Sequence, residues 1–194
     1  MNDLLSSPHP TVAELERELR RVKYRRSYRR VLKSTIFTLI TVAAVAVLIA
    51  MLWMPVLRIY GASMAPVLED GEIVIIAKGA QFEQGDVIAF YYNNKILIKR
   101  VIAFAGEWVN IDENGNVSVN DRPLEEPYLT EKARGNVNID LPYQVPDGTL
   151  FVMGDHRLTS ADSRNTAVGC VTQDQLVGKV LLRVWPFDRI GLIR

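Results

Sequence analysis

A lysine embedded in an apolar strand is the first residue of this sequence that could do chemistry. Lys99 lies in Ile96-Leu97-Ile98-Lys99-Arg100-Val101-Ile102, where both faces of a strand are largely apolar. Alternation puts Lys99 with Leu97 and Val101, and Arg100 on the other face with Ile98 and Ile102. A lysine in that setting is desolvated, which disfavours the ammonium and lowers the pKa from its reference of about 10.4. Lowering it to about 8 costs roughly 3 kcal/mol, a cost that a fold tolerates where a neutral amine acts as a base. The same pattern also suits a lysine whose stem packs while its ammonium reaches water.

Ser63 stands in Gly61-Ala62-Ser63-Met64-Ala65-Pro66. Between a permissive glycine and a proline, the backbone is irregular but defined, and it can expose both hydroxyl and amide. Serines in such loops also serve simply as turn residues. A third segment, Gly154 to Arg164, holds Asp155, His156, Arg157, Ser160, Asp162, Ser163 and Arg164 between predicted strands. That density suggests an ordered loop with bidentate Asp–Arg pairs. Asp155, His156 and Asp162 have the residue types of a metal site, but Arg157 and Arg164 argue against a cation there, and no cofactor is expected. His156 is the one histidine beyond the apolar segment, so a nucleophile there must choose between a lysine and a histidine.

The elements that position these residues are short strands and turns. Glu72–Lys78, Asp86–Tyr92 and Lys95–Ala103 are rich in β-branched and aromatic residues. Asn93-Asn94 reads as a tight hairpin turn, and Asn114-Gly115, between Trp108–Ile111 and Val117–Asn120, as a second. Leu150–Met153 and Val177–Val184 supply further strands, and Thr172–Leu176 is the one candidate helix of this half.

The first part of the chain differs. Of 194 residues with net charge +1, eight cations fall between Arg20 and Lys33 with no acid among them. Ser34 to Leu57 then carries no charge, longer than the roughly 20 residues a spanning helix needs. A signal h-region is shorter, and a soluble core helix carries a polar stripe. The basic cluster holds the N-terminus in the cytoplasm and puts everything from Arg58 outside. Residues 1–10 read as disordered. Thr11 and Glu14 form a capping-box signature, and Val12, Leu15, Leu19 and Val22 recur at helical spacing, for a partner, the inner leaflet or simple solubility. Cys170 is alone, so it forms no intrachain disulfide, and packing is its reading. The bulk charge gives no argument for nucleic acid. The expected organisation is a cytoplasmic segment 1–33, a transmembrane helix 34–57 and a mostly-β extracytoplasmic domain 58–194, with a β-ribbon insertion at about 106–150.

In combination and in this order, these segments resemble bacterial type I signal peptidases, with the single anchor similar to the Gram-positive form. Ser63-Met64-Ala65-Pro66 resembles the family's nucleophile box. Gly85-Asp86-Val87-Ile88-Ala89-Phe90 resembles the strand that follows, Lys99-Arg100-Val101-Ile102 the general-base box, and Gly154 to Arg164 the final box. Val119-Asn120 and Glu126-Pro127-Tyr128-Leu129 fall where the family has similar runs. The resemblance implies a signal-peptidase-like β fold and a Ser–Lys dyad, with Ser63 attacking and Lys99 taking its proton. It implies that Ser160 orients the amine, that Asp162 pairs with Arg164 to support the loop, and that Asp155 and Arg157 are structural. The Ser63 amide would be one oxyanion donor. Gly61 stands where some members carry a serine whose hydroxyl is the second, so a backbone amide or a water must serve.

Further departures are Val67 for a common threonine, Ala103-Phe104-Ala105-Gly106 for a run richer in Gly and Pro, and His156 for asparagine. The implied substrates are exported preproteins cut after an Ala-X-Ala pattern at the bacterial plasma membrane, with the bilayer and the secretion machinery as partners. Ile59, Met64, Leu68, Leu97 and Ile98 would line its pockets, the segment lying as an added strand. Three rival readings are a Ser63–His156–Asp triad hydrolase, a tethered β domain that binds without catalysis, and a self-cleaving repressor with the same dyad. The last is disfavoured by the spanning segment.

Overall fold

The computed structural model describes residues 12–193. The expectations for residues 1–10 and for a cap at Thr11 lie outside those residues. One helix, α1, runs from Val12 to Trp53. The short amphipathic helix and the apolar span are therefore a single 42-residue element. At 1.5 Å per residue it is about 63 Å long, and its uncharged part, Ser34–Trp53, accounts for about 30 Å. That matches the hydrocarbon thickness of a bilayer. The Thr38 and Thr41 hydroxyls donate to the carbonyls of Ser34 and Phe37, each at 2.9 Å, so neither needs water. None of the apolar window is buried against protein, which does not suit a core helix and is compatible with membrane anchoring. The helix stops before Pro55, and Val56 and Leu57, the end of the uncharged run, enter a strand.

Beyond Ala50 the chain forms a second unit, made of strands. These are β1 (Val56–Arg58), β2 (Ile73–Ala77), β3 (Val87–Tyr92), β4 (Lys95–Phe104), β5 (Trp108–Ile111), β6 (Val117–Val119), β7 (Arg122–Pro123), β8 (Tyr143–Gln144), β9 (Thr149–Met153), β10 (Val171–Thr172), β11 (Leu176–Trp185) and β12 (Gly191–Leu192). The large sheet has the order β1-β2-β11-β3-β4-β9-β10, with β12 on β11. The small one is β7-β6-β5-β8. The larger expected strands are all present. The expected helix at Thr172–Leu176 is only a 3-10 turn, Gln173–Gln175, because β11 begins at the next residue.

Both hairpin turns form where asparagine and glycine permit positive φ. Asn93 has φ 49° between β3 and β4, and Gly115 has φ 80° between β5 and β6. In the second, the Asp112 carboxylate accepts from the backbone N–H of Asn114 and Asn116, at 2.9 and 2.8 Å. Three apolar clusters fill the interior. Val74, Ile76, Val87, Ala89 and Val180 pack with Met64 and Leu68. Ile88, Phe90 and Val101 pack with Val152. Residues of the small sheet, Val109, Ile111, Val117 and Val119, pack on Ile102, Phe151 and Met153.

Alternation along β4 holds through its first half, with Leu97 and Val101 in one cluster and Ile98 in another. A register shift between Val101 and Ala103 then turns Ile102 and Ala103 together into the third. Pairing along β4 is uneven too. Residues 95–100 pair with β3, but β9 takes up the other edge only from Arg100. On that side the backbone of Lys95–Lys99 has no strand neighbour among the described residues.

Gly178 of β11 lies so close to β2 that an added Cβ would press into the Ala77 carbonyl, well inside van der Waals contact. Gly178→Ala is expected to lose about 2 kcal/mol. The measurement is a urea unfolding curve, with the midpoint lowered and the slope unchanged. An unchanged midpoint would contradict this packing.

Candidate active site

The loop that carries Ser63 leaves the sheet at β1 and returns at β2. Its base is closed by two backbone bonds, Ile59 N–H to the Glu72 carbonyl at 2.8 Å and Gly71 N–H to the Ile59 carbonyl at 3.0 Å. Met64 and Leu68 anchor it, both buried in the first cluster. The Leu68 N–H donates back to the Met64 carbonyl at 2.8 Å, which makes one tight turn directly after Ser63. Gly61 takes φ +89°, a conformation that L side chains rarely adopt.

Lys99 reaches this turn from the middle of β4. Its Nζ is 2.7 Å from Ser63 Oγ, and the residue is 2% exposed. An ammonium at that place has lost its water. Burial is the largest cause that takes the Lys99 pKa from 10.5 down to about 8. The Asp162 and Asp155 carboxylates pull it back up, and the Arg164 guanidinium pushes it down. The alternative of an ammonium reaching solvent therefore fails, since the lysine is almost wholly buried and its amine ends on the Ser63 hydroxyl. At that separation a neutral amine can accept the hydroxyl proton.

Segment 154–164 encloses the pair from the other side. Asp162 is fully buried and takes two bonds from Arg164, from Nε and Nη2, each 2.8 Å. It also accepts the Gly154 N–H at 2.9 Å. Asp155 is held by Arg100 in the same bidentate way, at 2.8 and 2.6 Å. The Tyr128 ring lies 3.8 Å from the Arg100 guanidinium, and Arg157 meets Glu126 at 2.5 Å. With these carboxylates claimed by guanidiniums, the set offers no cation site. Among the described residues no group of His, Cys, Asp and Glu could hold a metal ion. Cys170 is half-buried beside Tyr143, and burial raises its thiol pKa.

Gly154 is where the segment touches the Ser63 loop. An added Cβ there would meet Ser160 Oγ and lie 2.5 Å from the Ser63 carbonyl oxygen. The next-but-one N–H, of His156, donates to that same carbonyl at 3.1 Å. His156 thus contributes its backbone, while its ring Nδ1 is 2.8 Å from Thr159 Oγ1. That leaves Ser63 without an imidazole partner, and the triad reading without its base.

Several sequence expectations are placed differently. Ser160 is buried, but its Oγ has no hydrogen-bond partner, so the expected bond to Lys99 is not made here. At Gly61, named for the oxyanion position, the backbone N–H is taken by Asp70 Oδ1 at 2.7 Å. Of the five expected pocket residues, Ile59, Met64, Leu97 and Ile98 line a cavity of about 870 Å³ beside Ser63. Leu68 does not line it: it is fully buried behind Met64's cluster, where it supports the loop. The cavity runs between residues 56–61 and residues 94–98, so one wall is the unpaired edge of β4. A second cavity of about 700 Å³, lined by Phe82, Phe104, Leu150 and Leu176, contains none of these residues. The pairs Arg100–Asp155 and Arg157–Glu126 had no signal in sequence, since their partners lie 55 and 31 residues apart.

The buried amine has a thermodynamic consequence. Below about pH 8 both folded and unfolded chains hold the Lys99 proton, and the fold carries an unfavourable ammonium worth about 3 kcal/mol. Between about 8 and 10.5 the unfolded chain binds more protons, so stability rises with pH across that window. Lys99→Met is expected to be more stable than the parent at pH 7, by up to about 3 kcal/mol, and to lose the rise. Denaturant melts at pH 7 and pH 10 read this. Equal stability at pH 7 would mean that the amine is not desolvated.

Comparison with known proteins places these features in context. Residues 31–185 match the signal peptidase family, peptidase S26. Signal peptidase I U of Bacillus subtilis is 33% identical over 174 residues, covering 84% of this chain and 92% of the relative. Signal peptidase IB of Staphylococcus aureus is 37% identical over 150 residues, 67% of this chain and 77% of the other. Signal peptidase I of Streptococcus pneumoniae is 30% identical over 173 residues, 69% and 83% of the two chains.

Proposed function

This chain belongs to the signal peptidase family, peptidase S26, and from that premise we propose that it removes signal peptides from exported preproteins with a Ser63–Lys99 dyad. The observation that carries the dyad is the 2.7 Å approach of a buried lysine amine, pKa about 8, to a loop serine hydroxyl. A serine hydroxyl is a weak nucleophile until a base takes its proton, and a lysine serves as that base only when neutral.

In the proposed reaction Ser63 Oγ attacks the scissile carbonyl carbon as its proton passes to Lys99 Nζ. The Ser63 N–H faces the oxyanion, and the resulting ammonium protonates the departing amine. Lys99, neutral again, takes a proton from the water that attacks the Ser63 ester, and returns it to Ser63 Oγ as the C–Oγ bond breaks and the carboxylic acid product leaves. Asp162, locked by Arg164, and Asp155, locked by Arg100, hold the segment that covers the amine. Ser160 takes the orienting role: its buried, unpartnered Oγ has bonding capacity left for an amine that has turned from Ser63. The Gly61 N–H serves the oxyanion only if Asp70 releases it.

The substrate segment lies as an added strand along the open edge of β4 at residues 95–98. Ile59, Met64, Leu97 and Ile98 form shallow apolar pockets, which favour the small residues of an Ala-X-Ala pattern. α1 anchors the enzyme in the bacterial plasma membrane, with its basic N-terminal side in the cytoplasm. The β domain then works on the outer side, where the secretion machinery delivers preproteins.

Ser63→Ala and Lys99→Ala are each expected to abolish cleavage of a preprotein by the detergent-solubilised enzyme while the domain stays folded. N-terminal sequencing of the product identifies the bond cut. The parent's kcat/KM is expected to rise with pH through about 8 with loss of one proton. His156→Asn should stay within a few-fold of the parent, whereas a triad would lose about 10⁴-fold or more. Full activity in Lys99→Ala would end the dyad assignment.

A further inference from the structure

We propose that Arg183 and Glu72 form a clamp that positions the nucleophile turn through the Val67 carbonyl. The inference rests on Ser63 being the nucleophile, but it concerns residues on the far flank of the loop. Arg183, on β11, donates from Nη1 to the Val67 carbonyl at 3.0 Å and to the Glu72 carboxylate at 3.1 Å. Its Nε donates to the Arg189 carbonyl at 2.7 Å, which fixes the plane of the guanidinium. Glu72, 3% exposed, also meets Arg189 at 3.1 Å and accepts the Glu69 N–H at 3.2 Å. Val67 directly precedes Leu68, whose N–H closes the turn onto Met64.

The turn is therefore held from two directions, by His156 on the Ser63 carbonyl and by Arg183 on the Val67 carbonyl. A buried carboxylate with two guanidiniums is a poor source of net stability, because desolvation offsets most of the attraction. An apolar pair of similar volume could fill the same space. What it could not do is donate a hydrogen bond to one backbone carbonyl, four residues after Ser63. The clamp thus supplies geometry where a base must sit within hydrogen-bond reach of its nucleophile.

The test uses the full chain in detergent with a preprotein. Arg183→Gln is expected to lower kcat about 10–100-fold with KM within about 3-fold, since a misplacement of about 1 Å costs that much. The midpoint of the pH–rate profile stays where it is in the parent. Hydrogen exchange in segment 61–71 speeds up at least about tenfold, while the β3–β4 hairpin keeps the parent's rate. An unchanged kcat overturns the inference. So does exchange that accelerates equally in β3–β4, which would mean general loosening. Should Arg183→Gln not fold, Arg183→Lys applies the same test: it keeps the charge beside Glu72 but has no Nε to bond the Arg189 carbonyl, and so loses the contact that fixes the donor against the Val67 carbonyl. A smaller kcat loss with the same local exchange change supports the clamp, and parent-like values of both overturn it. Ser63→Ala, run in parallel, reports on the nucleophile independently: full activity there removes the dyad and leaves the exchange result standing.

Discussion

An amine held without water beside a serine hydroxyl is the condition on which the rest of the molecule depends. Desolvation lowers the Lys99 pKa, but two carboxylates nearby act in the opposite direction. Left bare, they would favour the ammonium, and at about 1.36 kcal/mol per pKa unit even a modest restoration matters. Each carboxylate instead faces a bidentate guanidinium, Arg164 on Asp162 and Arg100 on Asp155. The buried pairs thereby bring hydrogen-bonding order to the 154–164 segment while limiting the field at the amine. Their value lies in that balance more than in stability, because buried ion pairs seldom repay their desolvation.

The large sheet sets the geometry around this condition. β3 holds one edge of β4 over residues 95–100 and β9 takes up the other only from Arg100, so Lys99 is the last residue before that second edge is covered. The amine's low dielectric comes from the burial of its own side chain. On the open side lies the cavity in which the proposed substrate strand would complete the ladder. The Ser63 loop meets this point because Met64 and Leu68 are buried in the same cluster as the β2, β3 and β11 side chains.

Much of this was legible in the chain itself. The period-2 runs, the Asn and Gly turns and the uncharged segment each carry a local physical signal, and the corresponding strands, hairpins and helix are present. The suspicion about Lys99 also came from neighbours in sequence, since Leu97, Ile98 and Val101 already announce an apolar strand. Signals that depend on distant partners were not legible. Ser160 was expected on the amine and has no partner here; Gly61 was expected at the oxyanion and its N–H is bonded to Asp70; Leu68 was expected in a pocket and lies in the core. In each case the residue type was compatible with either place.

By itself the sequence determined most element types, the apolar helix with its charge asymmetry, and the apolar strand around Lys99, without deciding whether the amine is buried. Those properties follow from local periodicity and composition, which need no knowledge of the fold. Only tertiary structure decided that this lysine ends on Ser63, thirty-six residues away, that Arg100 and Arg157 find carboxylates 55 and 31 residues away, and that one stretch of β4 edge stays open. The reason is physical: pairing, burial and the loss of water depend on what arrives from elsewhere in the chain.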